Sequence, residues 1–165
     1  MSLRNICIYP NHVLKEPTEA ITNFDDALRD IVTDMWDSMY YYDGIGLAAP
    51  QIGLSKKIAV IDYKGEKYTL INPVITEKNG ERFEEEGCLS FPGIYAKVSS
   101  PSSIKVKYQD ETGTIIEKEI DGFLACAFSH EIDHLNGVLL IDRVSNLKKQ
   151  FIKKKLIKQK SREEN

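Results

Sequence analysis

No apolar run in this chain approaches the roughly 20 residues that a membrane-spanning helix needs. The first residues, Met1-Ser2-Leu3-Arg4-Asn5-Ile6-Cys7, lack a signal-peptide pattern. Cysteine is scarce: there are three, an odd number and widely spaced, which is no disulfide framework. A reducing cytoplasm is therefore the expected location, and each thiol is open to serve as core filler, ligand or nucleophile. An excess of positive charge is also missing. The net charge of −3 argues against general affinity for nucleic acid, DNA included. There is no Gly-Lys-Ser/Thr, so no phosphate loop. Repeats and low-complexity linkers are absent too. At 165 residues the chain is expected to fold as one domain, residues 1–165, with a real core.

Histidine is as scarce as cysteine. There are three, and two of them frame His130-Glu131-Ile132-Asp133-His134. Histidines four apart on a helix lie on one face. Two neutral imidazoles so placed can bind one metal ion, and a glutamate between them can take a proton from a water on that metal. His-Glu-x-x-His also arises by chance in solvated helices. Its surroundings here favour a site. Asn136-Gly137 is a helix stop, which puts the motif on the last turns of a helix. The preceding Phe123-Leu124-Ala125-Cys126-Ala127-Phe128 is nearly all apolar, so the helix should be central and buried. Buried histidines and a buried glutamate need partners.

The rest of the chain reads in order. Residues 1–22 suggest an extended arm with a strand-like Ile6-Cys7-Ile8-Tyr9. A first helix is expected over 24–42, with Asn23 as N-cap and a core stripe of Leu28, Ile31, Val32, Met35 and Met39. Gly44-x-Gly46-x-x-Ala49 matches a dinucleotide fingerprint literally, but it follows a helix and leads into a strand, the reverse of what that fingerprint needs. It is instead a glycine-rich loop whose bare backbone can approach a ligand, with the Gln51 amide at its end. Short antiparallel strands are expected at 57–62, 67–72 and 74–77. Glu84-Glu85-Glu86-Gly87-Cys88-Leu89-Ser90 reads as a loop. Residues 103–109 and 115–120 form a hairpin. Residues 138–141 form a short strand or packed extended segment. A final helix spans 145–160, with Leu147, Phe151, Ile152 and Leu156 as its apolar side and seven lysines elsewhere. That run is either a solvated face or a local basic patch for RNA. The fold class expected is α+β: a central metal-binding helix surrounded by short antiparallel strands, with a first helix near the N-terminus and a C-terminal helix.

A catalytic metal held by two histidines normally needs a third protein ligand. A downstream histidine of the extended protease motif would fall at position 140, which is Leu140. The only later glutamates are Glu163 and Glu164, in the terminal tail; Asp142 follows directly on an apolar segment. Cys126 shares the helical face, but eight residues at about 1.5 Å each separate it from His134 by about 12 Å, too far for one ion. Cys88, on a distant segment, is free to approach from the side. A Cys-His-His site with one open position is the resulting expectation.

Three stretches, Gly44-Ile45-Gly46-Leu47-Ala48-Ala49-Pro50-Gln51, Glu86-Gly87-Cys88-Leu89-Ser90 and His130-Glu131-Ile132-Asp133-His134, resemble in sequence, order and spacing the three motifs of the peptide deformylase family. The resemblance runs over nearly the whole chain. It implies removal of the formyl group from the N-terminal formyl-methionine of new bacterial polypeptides, with release of formate. It implies one ferrous ion per chain on Cys88, His130 and His134, replaceable by zinc, nickel or cobalt. It assigns Glu131 as general base and then acid, with the Gln51 amide and the Leu89 backbone N–H as donors to the formyl oxygen. It lines a methionine slot with Ile45, Phe123, Cys126, Ala127 and His130, and puts Gly46 and Gly87 against the substrate. The closing helix resembles that of the family's first class. Two departures stand out: Ser129 where the family usually has glutamine, and Lys15 where arginine is common. A partner beyond the formylated nascent peptide is suggested only by the lysine helix, which could meet the ribosome. Two rival readings follow from the motif alone: a zinc endopeptidase, and a metal-stabilised binding module without activity.

Overall fold

The computed structural model describes residues 2–164. Among them are three α-helices and seven strands. The helices are α1 (Asp26–Tyr41), α2 (Phe123–Leu135) and α3 (Asn146–Glu164). The strands are β1 (Gly46–Ala48), β2 (Ile58–Tyr63), β3 (Glu66–Asn79), β4 (Arg82–Cys88), β5 (Phe91–Ser100), β6 (Ser103–Gln109) and β7 (Ile115–Asp121). Five strands form one antiparallel sheet in the order β1-β2-β3-β6-β7; β4 and β5 form a separate two-stranded ribbon. The class is α+β, as the sequence pattern indicated. No helix among the described residues is long and apolar enough to cross a membrane.

The run Ile58-Ala59-Val60-Ile61 is apolar throughout because β2 is covered on both faces. Ala59 and Ile61 pack with Leu70, Ile104 and Val106 against Ala125, Phe128 and Ile132 of α2. Ile58 and Val60 face the other way, against Leu28, Val32, Met35 and Met39 of α1. The successive residues of a strand point to opposite faces, so one short segment serves two cores. Helix α2 is thereby pressed onto the sheet and held centrally. A third cluster joins Phe91, Ile94 and Val98 of β5 to Leu139, Leu140 and Ile141 and to Ile152 and Leu156 of α3.

Several expected boundaries move. The first helix is capped by Asp25, whose side chain accepts from the Leu28 N–H, and not by Asn23. Residues 6–9 pair with the body through isolated backbone bonds and form no strand. The two strands expected at 67–72 and 74–77 are one strand, β3, bent at a bulge where Asn72 has φ of 53° and Pro73 follows. The Asn72 side chain bonds both backbone groups of Ile21 there, tying the N-terminal segment to the bend. Residues 138–141 do not extend into a strand; Leu140–Arg143 form a 3-10 turn. On α3 only half of the expected apolar side is buried. Ile152 is fully buried and Leu156 nearly so, whereas Leu147 and Phe151 are exposed. Residues 147 and 152 are five apart, about 140° round the helix, so they cannot share one seam.

Candidate active site

Helix α2 begins after Gly122, whose φ of 71° needs a glycine, and ends at Asn136 and the left-handed Gly137. His130, Glu131 and His134 thus fall on its last two turns. The Gly-rich loop arrives from the side. Gly46-Leu47-Ala48 pairs with β2, and a 3-10 turn over Ala49–Ile52, opened by Pro50 and closed by left-handed Gly53, turns the Gln51 side chain inward. Cys88, expected on a loop, is the last residue of β4, where a register shift at Gly87/Cys88 turns the ribbon. The β4 pattern eluded the sequence reading because its inward residues are charged. Arg82, Glu84 and Glu86 alternate with Phe83, Glu85 and Gly87, so no apolar period of two is visible.

The ligand atoms of Cys88, His130 and His134 lie within 4.8 Å of one another. Cys88 Sγ is 3.3 Å from His134 Nε2. The two imidazoles meet edge to face, with centroids 4.9 Å apart. A cysteine sulfur with two imidazoles is a donor set that would suit a divalent transition metal. His130 Nδ1 faces the Glu86 carboxylate at 3.5 Å, which leaves the other ring nitrogen for the centre. The sequence reading had not assigned Glu86. The available signal was the run of three carboxylates just before Cys88, since a ligand histidine needs an acceptor on its second nitrogen. Asp133 orients no ligand histidine: it binds Arg143 at 2.6 Å, tying α2 to the turn that follows it.

Glu131 is almost wholly buried beside Gly46, and a Cβ at position 46 would come within 2.6 Å of its Oε2. Burial pushes its carboxyl up to about 7, opposed by the neighbouring His130. Burial pulls His134 well below the usual histidine range, with the charge of His130 adding to the effect. Burial would lower His130 too, but the Glu131 charge, Cys88 and Glu86 raise it well above that range. Gln51 is buried; the Ala48 N–H donates to its Oε1 at 2.9 Å, and its Nε2 donates to Ser90 Oγ at 3.2 Å and lies 3.5 Å from Cys88 Sγ.

These groups open onto a cleft of about 1920 Å³. Ile45, Gly46, Gln51, Gly87, Cys88, Leu89, Phe123, Ala127, His130 and Glu131 all line it. Cys126 does not. Its side chain is buried behind the cleft wall beside Ser100 and Glu86, and burial raises its thiol pKa. The cleft runs on between the N-terminal arm, Tyr9 to His12, and Lys153, Ile157 and Lys160 of α3.

A buried carboxylate side chain between two helix-borne histidines, with a cysteine sulfur able to complete a metal-binding group and an amide beside it, is a donor set that fits a metal-dependent hydrolase. Within that class the chain belongs to the polypeptide deformylase family, whose model matches residues 3–150. The chain is 46% identical over 163 residues to the peptide deformylase of Acidobacterium capsulatum, covering 96% of each. It is 44% identical over 153 residues to that of Thermotoga maritima, covering 92% of this chain and 93% of the relative. Among solved structures it is similar to a Legionella pneumophila peptide deformylase at a TM-score of 0.94 and 40% identity, with 99% of each chain covered. It is also similar to the Ehrlichia chaffeensis peptide deformylase in complex with actinonin, at a TM-score of 0.92 and 34% identity over 96% of this chain and 98% of that one. Enzymes of this family are metal-dependent hydrolases of protein biosynthesis that remove the N-formyl group from new peptides.

Proposed function

We propose that this chain, working as one catalytic domain, hydrolyses the formyl amide of N-terminal formyl-methionine on newly made polypeptides. The observation that carries the reading is the convergence of Cys88, His130 and His134 within 4.8 Å, with buried Glu131 beside them and an open cleft in front. A ferrous ion on those three residues, one per chain, supplies Lewis acidity towards water and the formyl carbonyl when bound; zinc, nickel or cobalt fits the same donors.

The remaining chemistry belongs to the side chains. Glu131 takes the proton of the attacking water and returns it to the amine as the C–N bond breaks, releasing formate. Its carboxyl, buried between the two histidines and against Gly46, is held where it can make both transfers. The Gln51 Nε2–H and the Leu89 backbone N–H donate to the oxygen that gains charge. Ile45, Phe123 and Ala127 offer the apolar slot for methionine, and Gly46 and Gly87 leave room for the peptide backbone. Glu86 fixes the His130 ring. The cytoplasm is the proposed compartment. The lysines of α3 are a proposed contact with ribosomal RNA; removal of residues 147–165 should then weaken co-sedimentation with ribosomes, and unchanged sedimentation would reject the contact.

The deciding experiment is formate release from a formyl-methionyl peptide, made anaerobically with ferrous iron, beside an acetylated control. Release from the formyl peptide alone is expected. Cys88→Ala should lose bound metal, and full metal with full turnover would mean that another group is the ligand. Actinonin should compete with the formyl peptide. Cleavage of internal bonds in an unformylated protein would instead support an endopeptidase.

A further inference from the structure

We propose that Ser90 is a positioning residue for the reaction: its buried hydroxyl fixes the plane of the Gln51 amide, so that one Nε2–H stays aimed at the reacting carbonyl. The inference rests on the donor role given to Gln51 above.

The amide has three polar contacts. Its oxygen is identified by the Ala48 N–H, which donates to Oε1 at 2.9 Å. The nitrogen end then has two N–H groups in fixed directions within the amide plane. One donates to Ser90 Oγ at 3.2 Å. The other donates to Cys88 Sγ at 3.5 Å, at the edge of the ligand cluster, where a substrate carbonyl could take it over. That is where a carbonyl oxygen must lie to be polarised there. The last torsion of a glutamine side chain is broad and soft. Anchoring one end of the amide leaves it free to rock; anchoring oxygen and nitrogen together stops it. Ser90 supplies the second anchor, and an alanine there would leave a buried N–H unpaired.

Ser90 is itself held. It is fully buried, and its carbonyl accepts from the Tyr9 N–H at 2.9 Å. The Cys7 N–H donates to the Gln51 carbonyl at 2.6 Å. Residues two apart on the N-terminal arm therefore strap Gln51 and Ser90 to one another. The Tyr9 ring, stacked on Phe91 at 5.0 Å, secures that strap next to Ser90. Electrostatic stabilisation depends on donors that need no reorganisation as charge develops, and this arrangement prepays it.

The test is a double-mutant cycle on formate release with Ser90→Ala, Gln51→Ala and both together, at matched metal content. Ser90→Ala should lower kcat about tenfold while KM stays within about twofold. In the Gln51→Ala background it should add less than about twofold, because the residue it positions is gone. A second readout needs no turnover. In metal-free ¹⁵N-labelled protein the Gln51 side-chain amide protons should exchange with solvent at least about tenfold faster after Ser90→Ala. Unchanged kcat, an equal loss in both backgrounds, or unmoved amide exchange would overturn the proposal. Wild-type enzyme that releases no formate would remove the role of Gln51 instead, and the exchange measurement would still report whether Ser90 holds the amide.

Discussion

Helix α1 buries Asp34 and Ser38 on the face it turns towards the N-terminal arm, and both find partners there. Asp34 Oδ1 accepts from the Ser2 N–H at 2.9 Å and Oδ2 from the Arg4 guanidinium at 3.0 Å; Ser38 Oγ accepts from the Arg4 N–H at 2.9 Å. Helix α2 buries Ser129, Glu131 and His134. Among the described residues, Ser129 Oγ, Glu131 Oε1 and His134 Nδ1 make no hydrogen bond. Each such orphan costs about 1–3 kcal/mol. Two helices of one small protein, packed on opposite faces of the same strand, thus treat polar burial in opposite ways. The α1 groups complete the fold. Of the α2 groups, Glu131 and His134 belong to the candidate site, and the free oxygen of Glu131 is what its proposed role in proton transfer would need.

This contrast is broken most sharply by Glu131→Ala. Turnover should fall by about 10³-fold, in the range for general acid–base catalysis. Bound metal should stay near one per chain, and the thermal midpoint of the metal-free protein should hold or rise, since an unpaired buried carboxyl is removed. Near-normal turnover would reject the role of Glu131, and marked destabilisation would make it a structural residue like Asp34. Next comes Gly46→Ala. Its methyl would lie 2.6 Å from Glu131 Oε2 and 3.0 Å from its Cγ, so the Glu131 side chain must shift. Displacement by an ångström costs about 10²-fold, so kcat should fall by roughly that while circular dichroism is unchanged. Wild-type kcat would show that Glu131 can shift without cost.

Asp34→Ala should do the reverse of Glu131→Ala. Stability should drop by about 1–2 kcal/mol in urea unfolding, less than for a fully enclosed charge pair because Arg4 reaches water. The kcat/KM should stay within about twofold of wild type. A loss of activity without a loss of stability would mean that the arm serves the site more than the fold.

Which of these regions could be read from sequence follows from the same contrast. Helix α1 and strand β2 announced themselves, because apolar residues repeat at the helix period or run unbroken where both faces are covered. The chemistry of α2 was legible for a different reason: two of the three histidines fall four apart. The stretches that misled are those where site and fold compete. Strand β4 turns Arg82 and Glu84, which pair with each other, and Glu86, which faces His130, to its less exposed side, so it looks like a solvated turn. Cys126, which the family resemblance put in the methionine slot, is buried beside Ser100 and Glu86 and does not line the cleft. Leu147 and Phe151 carry the helical spacing of a core face with nothing to cover them. Long-range partners such as Glu86 with His130, or Ser90 with Gln51, leave no local period at all.

The smallest expected effect concerns acid. The Ser2 N–H, with help from Arg4 and against the cost of burial, holds the Asp34 carboxyl below its ordinary value of 3.8. Between those two values the unfolded chain binds more protons than the folded one, so stability rises with pH there. The contribution is complete above the ordinary value and is lost as pH falls through the lowered one. The difference in urea midpoint between wild type and Asp34→Asn should therefore be flat from about pH 7 to 5 and shrink below about pH 4. A difference that persisted into acid would mean that Asp34 holds the arm by shape and neutral hydrogen bonding, and the satisfied side of the comparison would then owe nothing to charge.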